Sequence, residues 1–107
     1  MKEAPHSELI PLNEMVAYQD GAVVSRQILK REKGNITLFA FDEGQGLSEH
    51  TAPFDAVVQI LEGEAEITVS GKPIRACAGE MVIMPANEPH GLKAITKFKM
   101  LLTMIRA

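Results

Sequence analysis

Two short stretches of this chain place glycine, proline and histidine at fixed distances from one another. Residues 44–63 read GQGLSEHTAPFDAVVQILEG, and residues 79–90 read GEMVIMPANEPH. Five residues separate Gly44 from His50, and five separate Gly79 from Pro85. Glycine permits backbone conformations that a side chain forbids, and proline ends a strand because it cannot donate a ladder hydrogen bond. The spacing therefore predicts sharp turns at strand ends around the two histidines.

The rest of the chain consists of short apolar or alternating runs, separated by glycine, proline, asparagine or charged residues. Runs of this kind are typical of β-strands. We predict strands at residues 23–29, 36–41, 56–61, 65–69, 74–77, 81–84, 91–94 and 98–105. Ser70 and Gly71 fit a tight hairpin, since glycine readily takes a positive φ. Only residues 9–18 suggest a helical turn, so the fold class is predicted to be all-β.

Length, composition and charge limit the possible partners and the location. The 107 residues, 46% hydrophobic and 23% charged, are typical of one globular domain spanning 1–107. Eleven basic and fourteen acidic residues are scattered, whereas a nucleic-acid partner requires a clustered basic face. No apolar run approaches the ~20 residues of a membrane span, and the amino terminus does not resemble a secretory signal. We expect a cytoplasmic protein with no nucleic-acid or membrane partner.

The two quoted stretches resemble the two cupin motifs. In that family the first motif reads glycine, five residues, His-x-His, three or four residues, glutamate, six residues, glycine; the second reads glycine, five residues, Pro-x-Gly, two residues, histidine. The glycines and the outer histidines fit, but Ala52 and Ala56 stand where the family has its second histidine and its glutamate. Asn87 replaces the turn glycine, and asparagine is the non-glycine residue that best tolerates a left-handed conformation. The resemblance covers about residues 36–96 and implies a double-stranded β-helix, or jelly-roll barrel, completed by the flanking strands.

The resemblance also implies a pocket inside the barrel. Alternate side chains of a regular strand share one face. The resemblance makes that face the barrel interior and directs a second histidine into the same space from a neighbouring strand. We therefore expect the pocket to be mostly apolar and to be lined by His50, Ala52, Ala56, Val58, Ile60 and His90.

Two histidines alone make a weak metal site, whereas an added carboxylate gives the set that suits ferrous iron and related ions. Asp55 is next to the position of the family's glutamate, and a bulge at Pro53 would reverse the face on which Asp55 points. The candidate metal ligands are therefore His50, His90 and Asp55. Two alternatives stay open for the cofactor: a divalent transition metal such as iron, manganese, nickel or zinc, or no metal.

Three classes of function are consistent with these residues. The first is a binding or sensing cupin that accepts a small organic molecule, including an anionic one that the imidazoles would hydrogen-bond. The second is a metal-dependent enzyme of the dioxygenase, isomerase or decarboxylase type, which the resemblance implies. The third is a structural or regulatory partner, since a free-standing cupin can resemble the effector domain of a larger regulator; the lack of a helix-turn-helix sequence argues against direct DNA binding. We favour the first class, with a pocket that is metal-free or binds metal weakly, and leave open whether the protein is an enzyme.

The apolar character of two strands predicts an assembly. Val57 and Leu61 fall on the face opposite Val58 and Ile60, and the run at 98–105 is also apolar on both faces. A strand that is buried on only one side alternates more cleanly than this. We therefore expect a second subunit to cover the outer face, which makes the protein a homodimer, as the resemblance also implies.

Overall fold

The computed structural model describes residues 3–106 and consists mainly of antiparallel strands. A short 3-10 helix, Leu12–Glu14, precedes them. The nine strands are β1 (Val23–Arg31), β2 (Gly34–Phe41), β3 (Gly46–His50), β4 (Asp55–Glu62), β5 (Glu64–Val69), β6 (Lys72–Cys77), β7 (Met81–Met84), β8 (His90–Ala94) and β9 (Phe98–Ile105). Residues 1, 2 and 107 of the predicted domain lie outside the described residues. Within residues 3–106, no helix is both long enough and apolar enough to cross a membrane.

The strands form two sheets. The five-stranded sheet has the order β1-β2-β9-β4-β7, and the four-stranded sheet has the order β3-β8-β5-β6. The prediction of an all-β fold is confirmed, and each of the eight predicted runs is a strand. The ninth strand, β3, was not predicted because four of its five residues are exposed, so that no inward face shows in its sequence.

The predicted turns adopt the backbone conformations that their residues favour. Ser70 and Gly71 connect β5 to β6 with φ of 49° and 81°, which is the pair of positive values that a two-residue hairpin uses. Asn87 has a φ of 65°, so asparagine does serve in place of glycine in the turn before β8. These short connections keep consecutive strands close and fix their register.

The main core lies between the two sheets. Phe41 and Phe98 are in register on β2 and β9 and stack with their ring centroids 4.5 Å apart. Val58 and Ile60 of β4 and Ile67 of β5 are buried with them. Aromatic stacking of this kind contributes about 0.5–1.5 kcal/mol beyond the burial of area, and this core holds the site at one end of the barrel.

The amino-terminal segment covers part of the outer face of the five-stranded sheet. A second buried cluster joins Ala4 and Val16 to Ile28 of β1 and Leu38 of β2. Lys99 of β9 is buried beneath this segment, where its Nζ donates to the Asn13 carbonyl at 2.6 Å and lies 3.2 Å from the Glu62 carboxylate. Part of the apolar outer face that the sequence assigned to a second subunit is thus covered by the chain itself.

Gly63 lies at the corner between β4 and β5, where the chain has no room for a side chain. It has a φ of 79°, and an added Cβ would contact the Lys97 carbonyl oxygen and lie 2.7 Å from the Cβ of buried Phe98. We predict that overpacking lowers the free energy of unfolding of Gly63→Ala by roughly 1–3 kcal/mol. The cost of the positive φ adds to this loss.

Gly79→Ala is the matched control, since Gly79 has a φ of 88° with no atom within 4 Å of an added Cβ. Its free energy of unfolding should fall only by the cost of the left-handed conformation, about 1–2 kcal/mol. Denaturant unfolding of both variants measures the difference, and equal losses would contradict this packing of the corner.

Candidate functional site

A small cavity of about 50 Å³ lies between the sheets at the end of the barrel where β3 and β8 pair. Strands of both sheets line it. The lining residues are Leu47, His50, Ala56, Met84, His90, Gly91, Leu92, Met100, Leu102 and Met104. Pockets for drug-sized ligands measure roughly 300–1,000 Å³, so this cavity has room for a few atoms only. Because His50 is exposed, the cavity reaches solvent beside this residue.

The two histidines lie directly opposite each other on β3 and β8. Leu47 pairs with Leu92 and His50 pairs with His90, so β3 uses three steps where β8 uses two. One extra residue of this kind is a β-bulge, and it reverses the face to which the following side chains point. The bulge therefore turns His50 to the same face as Leu47, and the imidazole centroids come within 4.5 Å at an interplanar angle of 70°.

Each imidazole uses Nδ1 in a hydrogen bond with the backbone of its own strand segment. His50 Nδ1 lies 2.8 Å from the Ser48 carbonyl oxygen, and His90 Nδ1 lies 3.1 Å from the Glu88 carbonyl oxygen. A carbonyl can only accept, so Nδ1 must donate in both rings. In a neutral imidazole the other nitrogen then carries a lone pair. Both residues line the cavity, so in their neutral forms the two imidazoles would offer two Nε2 acceptors there.

The environment of His90 keeps its ring neutral. Burial lowers the pKa of His90 below the usual imidazole range, because the charged form loses its hydration. The neighbouring His50 lowers the pKa of His90 further, and the hydrogen bond to the Glu88 carbonyl opposes these effects. The Nε2 of His90 is therefore a hydrogen-bond acceptor at neutral pH.

The structure separates the six predicted pocket residues. His50, Ala56 and His90 line the cavity. Val58 and Ile60 share the inward face with Ala56 but are packed into the core. Ala52 lies outside the cavity, where its carbonyl accepts a hydrogen bond from the Asn87 amide at 2.8 Å.

Asp55 does not join the histidines. It is exposed at the start of β4, whereas its neighbour Ala56 is buried, so the two side chains point to opposite faces. Its Oδ1 accepts a hydrogen bond from the Ala86 amide at 2.9 Å, which ties β4 to the turn before β8. The bulge considered at Pro53 occurs instead in β3, and Asp55 is not placed to be the third ligand.

The donors do not fit the divalent metal centre that the cupin resemblance implies. Among residues 3–106, no group of three or more His, Cys, Asp or Glu side chains is positioned to hold a metal ion. The two histidines are the nitrogen donors of the cavity, and its other walls are hydrocarbon or thioether. A divalent ion would bring two charges into an apolar space without an anionic ligand, which is unfavourable.

Sequence reasoning missed most of the apolar walls, including all three methionines. Met100, Leu102 and Met104 occupy alternate positions on β9, so their period of two does identify a shared inward face. Met84 is the fourth residue of a short strand, and only its pairing with Ala56 brings it to the cavity. Nothing in the local sequence predicts that pairing.

Comparisons with known proteins agree with this architecture. A family model described as "Cupin domain" matches residues 37–106. A conserved protein of unknown function from Streptococcus pyogenes is 34% identical with a TM-score of 0.92, over 100% of this chain and 96% of that one. A cupin superfamily protein from Desulfitobacterium hafniense is 27% identical with a TM-score of 0.91, over 99% and 97%.

A cupin 2 conserved barrel domain protein from Leptotrichia buccalis is 38% identical with a TM-score of 0.88; the match covers 91% of this chain and 47% of that chain. The chain thus corresponds to about half of the Leptotrichia protein. A comparison with curated proteins gives no match.

Ala56→Glu tests whether a side chain at position 56 can reach the two histidines. The variant adds a carboxylate to a cavity that both imidazoles line, and two imidazoles with one carboxylate suit divalent ions. We predict at least ~10-fold tighter binding of Zn²⁺ or Ni²⁺ than in the unaltered protein, equivalent to about 1.4 kcal/mol. Calorimetric titration of protein without a polyhistidine tag measures the affinity.

Ala56→Gln is the control, because it adds a side chain of the same size without the charge. If both folded variants bind the ions equally, the carboxylate does not reach the imidazoles.

Proposed function

This chain belongs to the cupin family, and we propose that it is a small-molecule-binding or sensing cupin whose barrel cavity receives the hydroxyl end of a small organic ligand. The observation that carries the proposal is the pair of Nδ1 hydrogen bonds to the Ser48 and Glu88 carbonyls. They leave two Nε2 acceptors at one cavity. A ligand that offers a hydrogen-bond donor satisfies them, whereas an anion would first require a protonated imidazole.

The cavity walls and the opening support the same type of ligand. Leu47, Leu92 and Leu102 provide apolar contacts around the imidazoles. At about 50 Å³ the cavity accommodates the polar head of a ligand, and the remainder would lie at the opening beside exposed His50. A site with a few placed polar groups and apolar walls is the usual form of a small-molecule site.

The metal-dependent enzyme is the weaker alternative. A dioxygenase, isomerase or decarboxylase of the type considered would use His50, His90 and Asp55 as ligands. Asp55 instead accepts a hydrogen bond from the Ala86 amide, on the face of β4 away from the histidines. Among residues 3–106, no other carboxylate is grouped with the two histidines as a third metal ligand.

We also propose that the protein acts in the cytoplasm as a homodimer and has no nucleic-acid or membrane partner. The scattered charges support the absence of a nucleic-acid partner. An exposed apolar patch on the outer face of the five-stranded sheet supports the dimer. Met81 and Ile83 of β7 and Ile105 of β9 are each more than half exposed there, and Val57 of β4 is in register with Ile83.

Phenol and its methyl ether, anisole, test the proposed ligand chemistry. Phenol donates a hydrogen bond to Nε2, whereas anisole has nearly the same shape and no donor. His90 is buried, and a site with a buried acceptor discriminates strongly against a ligand that leaves it unpaired. We predict that ligand-observed NMR gives phenol an affinity at least ~10-fold higher than anisole.

His90→Asn is the matched variant, since its side-chain amide can still donate to the Glu88 carbonyl but offers no Nε2. It should reduce the preference for phenol. Equal binding of phenol and anisole to the unaltered protein would contradict the proposal.

Light scattering tests the dimer. The unaltered protein should give twice the chain mass of 11.7 kDa at micromolar concentration. Ile83→Asp should give the monomer, because it buries a charge at the proposed interface. Leu9→Asp makes the same chemical change at an exposed residue outside the patch and should remain dimeric. A monomeric unaltered protein would contradict the dimer.

A further inference from the structure

The turn that precedes His90 determines the hydrogen bond at its Nδ1. Residues 85–89 read PANEP and connect β7 to β8. Both prolines fix their own φ, and Asn87 between them has a φ of 65°. The carbonyl of Glu88, near the end of this turn, accepts from Nδ1 of His90 at 3.1 Å. The placement of the turn therefore decides which nitrogen of the His90 imidazole holds the proton.

The five-stranded sheet holds one side of the turn through Asp55. Its Oδ1, at the start of β4, accepts a hydrogen bond from the Ala86 amide at 2.9 Å. A hydrogen bond to a charged carboxylate is roughly twice as strong as one between neutral groups. The carbonyl of Ala52, just before β4, accepts from the Asn87 amide at 2.8 Å. The first half of the turn is thus fixed to the residues that lead into β4.

The hairpin between β5 and β6 holds the other side of the turn through Ser70. Its Oγ donates to Oε2 of Glu88 at 2.9 Å, and its amide donates to the Pro89 carbonyl at 2.8 Å. The preceding residue, Val69, is in register with His90 on β8. The Ser70 hydroxyl therefore acts on the same residue whose carbonyl accepts from the imidazole.

We propose that Asp55 and Ser70 are positioning residues for the acceptor at Nε2 of His90. They hold the turn at residues 85–89 so that the Glu88 carbonyl faces Nδ1. The hydrogen bond at one imidazole nitrogen sets which of the two is protonated, and a neutral ring without that bond can carry its proton on either. Neither Asp55 nor Ser70 lines the cavity, so both act through the turn.

The proposal assigns Asp55 a role other than that of a metal ligand. Its side chain lies on the face of β4 away from the cavity, yet its hydrogen bond reaches the turn that carries His90. The effect of Asp55 and Ser70 on ligand binding rests on the proposed function. Their effect on the tautomer of His90 does not, because the tautomer is set before any ligand binds.

Asp55→Ala and Ser70→Gly each remove one of the two side-chain hydrogen bonds. Glycine keeps the φ of 49° at position 70 without strain. We expect each variant to raise the ratio of the Nε2-protonated to the Nδ1-protonated form of neutral His90 roughly 2–10-fold, the equivalent of one hydrogen bond. Long-range proton–nitrogen correlation NMR without ligand measures this ratio, and thermal unfolding checks that each variant is folded.

Conservative variants should rescue the tautomer. Asp55→Asn keeps an Oδ1 that accepts from the Ala86 amide, and Ser70→Asn keeps a donor for Glu88 and tolerates the positive φ. Both should give the ratio of the unaltered protein. Since Asp55→Asn also removes the charge, an unchanged ratio there would show that the hydrogen bond acts rather than the field of the carboxylate.

Asp42→Ala is the matched control for a general loss of structure. The Asp42 carboxylate likewise accepts a backbone hydrogen bond, from the Gly21 amide at 2.7 Å, and this bond does not involve the turn at residues 85–89. The variant should leave the His90 ratio unchanged. An unchanged ratio in Asp55→Ala or in Ser70→Gly would overturn the role of that residue, and an equal shift in Asp42→Ala would overturn the proposal.

Phenol and anisole separate failure of this proposal from failure of the proposed function. Asp55→Ala and Ser70→Gly should each reduce the preference for phenol, because fewer molecules present a free Nε2. If the tautomer shifts but the unaltered protein shows no preference for phenol, only the proposed function is overturned. If the unaltered protein prefers phenol and both variants keep its tautomer ratio, only the positioning role is overturned.

Discussion

The pairing of β3 with β8 is the constraint on which the site depends. Gly46 and Gly91 allow the two backbones to approach, since an added Cβ on Gly91 would lie 3.0 Å from the Leu47 carbonyl oxygen and one on Gly46 would contact that of Leu92. One extra residue on β3 then brings His50 opposite His90. A regular strand would have turned His50 to the face opposite Leu47. The bulge therefore creates the histidine pair.

The two sheets supply different chemistry to the cavity. The four-stranded sheet contributes imidazoles whose tautomer is set by backbone carbonyls, and the five-stranded sheet contributes methyl and thioether groups. The position at which the family has a glutamate holds Ala56. Without that carboxylate, the cavity retains the barrel geometry but lacks the anionic ligand that a divalent ion would need in apolar surroundings.

The sequence predicted local features well and non-local ones poorly. The alternation on β9 and the turn residues Gly71 and Asn87 identified strands and corners, because those preferences reside in single residues and short periods. The motif spacing predicted that His50 and His90 share one pocket, and both line the cavity. Met84 was missed because only the pairing of β7 with β4 brings it to the cavity. Asp55 was predicted as a ligand through a bulge at Pro53, but the bulge lies in β3. Its position depends on strand pairing, which local sequence does not encode.

The tautomer of His50 and His90 tests the proposed function most directly, since binding of a ligand hydroxyl requires free Nε2 lone pairs. Long-range proton–nitrogen correlation NMR on protein labelled with ¹⁵N distinguishes a protonated from an unprotonated ring nitrogen. At neutral pH we predict that His50 and His90 each carry the proton on Nδ1 and have an unprotonated Nε2. Protonated Nε2 with unprotonated Nδ1 in either ring would contradict it, because that ring would present a donor to the cavity in place of a lone pair.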